Sequence, residues 1–519
     1  MTLLVVAVLI TGVIVLTPLS DRLRVPSPVL LTVFGLIVPL LPWTPQLRLD
    51  PDIILPVVLP PLLFAATQRS TAIEFRREAQ PILLLAVGLT VATTAAVAVA
   101  AHGAGLAWGP AWVLGAVVSP PDPVAATAVA RRLRLPDRIV TVLEGEGMFN
   151  DATALVLYAL AVSAVVSGSI TAGDVALQLV LAVVGGIAVG LVAGWLTKVA
   201  LGALHDASAE TTLTIAMPFA TYLLAEQVEG SGVLAVLTIG LYLRSYGHPA
   251  LTSGGWLLGR SVWRYADYLI TSLVFVLIGF ELTAVLKHSP VHATSITVAA
   301  VTVGVLVALR FAWMFGVGSL AHLPGRRPAS ERTNRRELLV LSWAGMRGVV
   351  TVAAVLALPM TVESSDDFPQ RPEIVFVALT CVLVTLVVQG LSLSPLVRAL
   401  NVGTDADTAD AARELRHRAV EAALQVVRDR RGQVPEAVCH AVTLQYEGRV
   451  AAQDALRDAR TGDDDEQPER AEALQQLLAE TSEAERSLVV RARRSGEVSA
   501  EVADDVLTEI EARALREID

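Results

Sequence analysis

Glu144-Gly145-Glu146-Gly147-Met148-Phe149-Asn150-Asp151-Ala152-Thr153-Ala154-Leu155-Val156-Leu157-Tyr158 opens with two carboxylates, carries an Asn-Asp pair and runs on as a wholly apolar helix. Helical spacing places Gly147 and Asp151 on one face and Glu146 and Asn150 on the next. A charge inside an apolar span is costly and usually faces a partner or a wet cavity, so by default it marks function. The bland alternative leaves Glu144 and Glu146 at the water interface and pairs Asp151 with an arginine. The rarity of intramembrane carboxylates weighs against that, and Asp151 is the leading candidate for the working residue.

Outward from this stretch, the chain of 519 residues is 54% hydrophobic and only 17% charged, too apolar for an ordinary soluble protein. Runs near the bilayer-crossing length of ~20 residues recur between residues 3 and 400. The expected fold is therefore an all-α polytopic membrane protein. Hydropathy and breakers predict about thirteen spans, near 2–19, 27–43, 51–66, 81–101, 109–130, 138–165, 171–197, 209–227, 230–245, 260–286, 292–320, 337–360 and 371–399. Residues 1–400 form the transmembrane domain, and the first run reads as a retained span, not a signal peptide. From Asn401 the composition turns to Arg, Asp, Glu, Ala and Gln, a charged helical tail over 401–519 with helices near 411–431, 444–460 and 470–494 and an acidic linker over 462–468. The chain's net charge of −10 is carried by this tail, so it says nothing about the substrate.

Basic residues orient the spans. One set of alternate loops holds Arg22, Arg24, Arg69, Arg76, Arg77, Arg131, Arg132, Arg134, Arg138, Lys198, Arg244, Arg260, Arg264 and the arginines between 326 and 336, while the other holds Arg48, Lys287 and Arg371. The positive-inside rule then places the N-terminus outside and the tail in the cytoplasm, in a plasma-membrane protein. None of the eight histidines falls at mid-span, so protons handled in the membrane must use carboxylates. The deep ionisable groups are Asp122, Glu146, Asp151, Arg310 and Arg347. Cys381 and Cys439 offer neither a disulfide framework nor a metal site.

Two further stretches are anomalous. In span 5, Ser119-Pro120-Pro121-Asp122-Pro123 cannot continue a helix, because each proline lacks an amide donor and disfavours helix before it. The span must break, and broken backbone at membrane depth lines a wet cavity or is buried in protein. Asp122 sits at the break; a purely structural role would have it cap the second half of its own helix. In span 12, Gly345 and Gly348 flank Met346 and Arg347 in an apolar run. If spans 1–6 and 8–13 are two six-helix repeats, spans 5 and 12 occupy equivalent places and run in opposite directions, as in inverted-repeat transporters. Arg347 then neutralises Glu146 or Asp122, since an unpaired buried charge is expensive.

Together these stretches resemble the sodium/proton exchanger family, the monovalent cation:proton antiporters of the cation:proton antiporter-1 type. The likeness is carried by Leu59-Pro60-Pro61-Leu62-Leu63-Phe64, the segment from Ser119 to Ala125, Glu144 to Asp151, Leu224-Ala225-Glu226 with Ser231-Gly232-Val233-Leu234-Ala235, Phe275-Val276-Leu277-Ile278-Gly279 and Gly345-Met346-Arg347-Gly348. It implies a homodimer with a mobile six-helix core in which two broken helices cross near the ion site. By the same likeness, Asp151 and Asp122 would hold a monovalent cation and Asn150 would be the neighbour found in electroneutral members. Arg347 would pair with Glu146, with Ser119, Pro121, Gly147 and Arg310 as supporting positions. Three positions depart from the family's oxygen ligands: Ala65, Pro121 and Gly147 stand where Glu, Thr and Ser are usual. A bacterial subgroup with a Pro-Pro-Asp segment is similar in this respect.

The expected activity is exchange of Na⁺, with K⁺ and Li⁺ as further candidates, for H⁺ by alternating access, needing no cofactor and no covalent step. Burial penalises a bare carboxylate, and either a proton or a cation relieves it. Nucleotide-phosphate and zinc-helix motifs are absent from the sequence, which argues against an ATP-driven pump, a membrane protease or other enzyme, and nucleic acid is not an expected partner. The rival readings are a sodium-coupled organic-solute symporter and a cation channel.

Overall fold

The computed structural model describes residues 2–23, 25–41, 51–68, 79–122, 126–127, 135, 137–167, 172–247, 250–288, 292–321, 335–362, 366–400, 402, 420–461 and a few between 484 and 506. They fall into two compact units, Met1–Asp405 and Ala406–Asp519. The first is helical almost throughout. In chain order it contains α1 (Thr2–Leu23), α2 (Ser27–Ile37), α3 (Pro51–Thr67), α4 (Ala79–Gly103), α5 (Trp108–Val118), α6 (Asp137–Ser167) and α7 (Ala172–Ala203). There follow α8 (Ala207–Gln227), α9 (Gly232–Tyr246), α10 (Ser253–His288), α11 (Ala293–Ala321), α12 (Arg335–Trp343), α13 (Val349–Leu356) and α14 (Arg371–Leu400). Six helical stretches among the described residues are long and apolar enough to cross a membrane. They lie in α4, α6, α7, α10, α11 and α14.

Small residues let these helices approach closely, the packing device of apolar spans that have no hydrophobic drive between them. Gly35 of α2 lies against the Val276 carbonyl of α10, and Gly279 of α10 lies against the Thr32 carbonyl of α2. The apolar run ending in Gly279 is thus a seam between helices. Gly186 and Gly190 of α7 likewise meet the Ser231 and Ala235 carbonyls of α9. The tight connection between α8 and α9 is held by Glu226, whose Oε1 accepts from the Gly232 amide at 3.0 Å, while Ser231 caps α9 by accepting from Leu234 N.

Both sequence anomalies are breaks. α5 ends at Val118, residues 119–122 are non-helical, and residues 126 and 127 are helical again. Pro123 lies outside the described residues. α12 ends at Trp343, residues 344–348 leave the helix, and α13 begins at Val349. α14 backs the second break, with Thr385 Oγ1 accepting from Arg347 N at 3.1 Å and Ser392 Oγ accepting from Trp343 Nε1 at 2.8 Å.

In the second unit, residues 420–429 are helical and α15 spans Glu436–Thr461. The expected start near 444 was too late: Pro435 precedes the helix and its carbonyl already accepts from Cys439 N. The linker over 462–468 and most of the helix expected over 470–494 lie outside the described residues.

Candidate ion-binding site

The two breaks complete one another. The Asp122 amide donates to the Met346 carbonyl at 2.7 Å. Asp122 Oδ2 accepts from the Val349 amide at 3.2 Å, which caps α13. Arg347 Nη1 donates to the Ser119 carbonyl at 2.7 Å. A broken helix leaves amides and carbonyls without intrahelical partners, and here each break supplies what the other lacks. Asp122 therefore caps the other broken helix; the residues that would show a cap on its own second half, 123–125, lie outside the described residues. Gly348 makes this possible, because a Cβ there would fall on the Asp122 carboxylate.

α6 brings the Asn-Asp pair to the same point. Asn150 is fully buried and its Nδ2 donates to the Pro121 carbonyl at 3.1 Å, while its Oδ1 has no hydrogen-bond partner among the described residues. One residue on, Asp151 lines a cavity of about 50 Å³ together with Asp122, Gly147, Pro120, Gly348 and Thr351. The facing expected for Gly147 and Asp151 is thus found, and both point to the small cavity. Among the described residues no hydrogen bond or ion pair reaches the Asp151 carboxylate.

Glu146 turns the other way and departs from expectation. Its carboxylate is gripped by Arg310, with Nη2–Oε2 at 2.9 Å and Nη1 on Oε1. Arg310 also donates from Nε and Nη2 to the Leu341 carbonyl at 3.1 Å. The expected partner, Arg347, is drawn instead to Ser119, and the reason is the break itself. Arg347 sits on non-helical backbone beside a freed carbonyl, whereas Arg310 projects from the continuous helix α11 with its whole fork available. Gly345 leaves room for the Arg310 stem, where a Cβ would collide. Glu144 is buried too, so neither carboxylate of the opening stretch sits in an exposed interface.

A larger cavity of about 710 Å³ is lined by Phe64, Ala65, Gln68 and Thr127 and, on α9 and α10, by Arg244, Arg260, Arg264 and Asp267. Asp267 also lines the small cavity, so this residue is common to both. Neither Asp267 nor Thr351 was singled out from sequence. The signal for Asp267 was an acidic residue inside the run 260–286, and for Thr351 a hydroxyl one turn beyond the flanking Gly348.

A profile of the sodium/hydrogen exchanger transmembrane family matches residues 6–399. The chain belongs to that family. Within it, the chain is 35% identical over 460 residues to an uncharacterized Na⁺/H⁺ exchanger of Mycobacterium tuberculosis, covering 86% of this chain and 84% of the relative. It is 29% identical to a Na⁺/H⁺ antiporter of Aphanothece halophytica, over 75% of this chain and 73% of the other. The solved sodium proton antiporter of Methanocaldococcus jannaschii superimposes with a TM-score of 0.60 at 18% identity, over 77% of this chain and 99% of that one. This likeness is one of fold. The family is one of transporters, and the chain is accordingly a multi-pass membrane protein.

Proposed function

We propose that this chain exchanges Na⁺ for H⁺ across the plasma membrane, with Asp151 carrying cation and proton in turn. The observation that carries the reading is the unpaired Asp151 carboxylate beside Asp122 in a cavity of about 50 Å³. A space of ~10–15 Å³ already holds one water, so a monovalent cation with part of its hydration fits. A bare carboxylate there is penalised by burial, and a cation or a proton each relieves it. When only one is held at a time, and the empty charged site is too costly to move, exchange is obligatory.

In this reading Asp122 joins the cation from its place at the cap of α13, Pro120 and Gly147 form part of the wall, and Ser119 and Pro121 support it through carbonyls held by Arg347 and Asn150. Glu146 and Arg310 form the structural ion pair that Glu146 and Arg347 were expected to form. Exchange is one cation for one proton, and K⁺ and Li⁺ compete with Na⁺. The protein is a homodimer of protomers with thirteen spans in two inverted repeats, its N-terminus outside. Residues 1–400 carry transport and 401–519 are a cytoplasmic tail. The eleven unbroken helices and two broken ones of the first unit support that count. Purified protein in vesicles with a trapped pH dye tests the function. Na⁺, K⁺ and Li⁺ pulses should each move protons, and failure of all three rejects it.

A further inference from the structure

Besides Asp151, Thr351 is the side chain at the small cavity that capping, ion pairing and the two breaks leave unsatisfied among the described residues. It is 1% exposed, lines the cavity with Asp122 and Asp151, and its Oγ1 has no hydrogen-bond partner among the described residues. Threonines within helices ordinarily bond the carbonyl one turn back, as Thr94 does to Thr90, Thr153 to Phe149 and Thr385 to Cys381 in this chain. Thr351, in the first turn of α13 after non-helical residues 345–348, makes no such bond; Thr221, Thr271 and Thr302 inside other helices lack one too, but of these only Thr351 lines the small cavity. A buried hydroxyl without a partner is costly, and such orphans in native proteins call for an explanation.

We propose that Thr351 is a cation ligand, its Oγ1 supplying a neutral oxygen to the ion held between Asp122 and Asp151. This rests on the exchange reading and deepens it. Hard cations are bound by several oxygens, and two carboxylates alone leave the shell short. A hydroxyl has two lone pairs and one proton, so it can give a lone pair to the cation while donating to a carboxylate. When the cation is replaced by a proton, the same oxygen can accept from the protonated carboxyl. Threonine in a helix divides between two χ1 rotamers, so hydroxyl and methyl can exchange places at constant volume. Thr351 thereby answers in part for the oxygens that Gly147 and Pro121 do not bring to this wall.

Proton flux driven by Na⁺ pulses in dye-loaded proteoliposomes, with the full chain, is the test. Thr351→Val keeps the shape and removes the oxygen, while Thr351→Ser keeps the oxygen and removes the methyl. Loss of one charge-assisted bond should raise the Na⁺ KM about tenfold in the valine variant, with maximal rate within about twofold. The serine variant should stay within about twofold of the unsubstituted protein on the same scale. A valine variant with an unchanged KM overturns the assignment, and so does a serine variant as impaired as valine, which would mean the methyl merely packs. The Na⁺-dependent rise in unfolding temperature in detergent, against N-methylglucamine, reads binding without transport. Valine should lose that rise and serine should keep it; equal rises overturn the assignment. Normal exchange by Asp151→Asn would instead reject the exchange site itself, an outcome distinct from a silent Thr351→Val beside an inactive Asp151→Asn.

Discussion

Arg310 holds both carboxylate oxygens of Glu146 and turns its remaining donors on the Leu341 carbonyl, tying α6, α11 and α12 at one buried point. Both side chains are 3% exposed, so neither charge has water to fall back on. Removing one partner from such a pair typically costs about 3–5 kcal/mol, while replacing both with apolar side chains of similar volume is often close to neutral. Glu146→Leu and Arg310→Met should each lower the unfolding temperature strongly, and the double variant should recover much of the loss. Additive losses in a double-mutant cycle would show that the pair is not coupled.

Asp151→Asn should abolish cation-driven proton flux while the protein still purifies as the same oligomer. The amide keeps the shape of the side chain but can neither be neutralised by a proton nor neutralise a cation. Flux at the unsubstituted rate would exclude Asp151 from the exchange step.

Gly348→Ala places a methyl on the Asp122 carboxylate. The carboxylate must leave the α13 cap, so both the cap and the cavity wall change at once. Loss of an N-cap costs ~1 kcal/mol, which should appear as a modest drop in unfolding temperature beside a much larger loss of transport. A variant that transports normally would mean that Asp122 does not act from the cap.

Gly147→Ser adds an oxygen to the wall that Gly147 shares with Asp151. If the site is short of ligands, the Na⁺ KM should fall several-fold and the preference among Na⁺, Li⁺ and K⁺ should sharpen. Unchanged KM values for the three cations would indicate that the shell is already full.

Asp267→Asn should weaken capture of the cation without stopping exchange. Among the described residues, Asp267 is the one carboxylate lining the large cavity, alongside Arg244, Arg260 and Arg264. The rise in Na⁺ KM should be larger at low ionic strength and shrink when choline chloride is added, because salt screens such steering. A rise that is indifferent to salt would assign Asp267 to packing.

The fold was legible because its signals are local. Apolar length gives the spans, and three prolines around Asp122 forbid a helix whatever surrounds them. Asp151 was legible for the same reason, as a charge where charges are expensive. The partner of Glu146 was not. Arg310 and Arg347 are equally buried and equally charged in sequence, and the choice between them is made by the freed carbonyl of Ser119. Nothing in residues 119–123 states where that carbonyl will point. The oxygen of Thr351 was missed because threonine in an apolar helix is usually satisfied by its own backbone. Its place on the wall of the small cavity comes from how the helices pack, which the sequence does not state. Asp267 stood in an apolar run like Asp151, but its place on the walls of two cavities is a property of several helices together.

The reciprocal bonding of the two breaks has a mechanical consequence. Asp122 N to Met346 O, Val349 N to Asp122 Oδ2 and Arg347 to Ser119 O fasten one break to the other like the halves of a buckle. Pulling one half away would strand buried amides and carbonyls on both, so a large displacement carries the pair as one stiff piece. The compliance needed to open the site first to one side and then to the other must reside in neighbouring seams. The seam of Gly35 against Val276 and Gly279 against Thr32 is close-packed as well, and Thr283 Oγ1 fastens it by donating to the Leu36 carbonyl at 3.1 Å. The two breaks are thus tied to each other, so a displacement of one is a displacement of both.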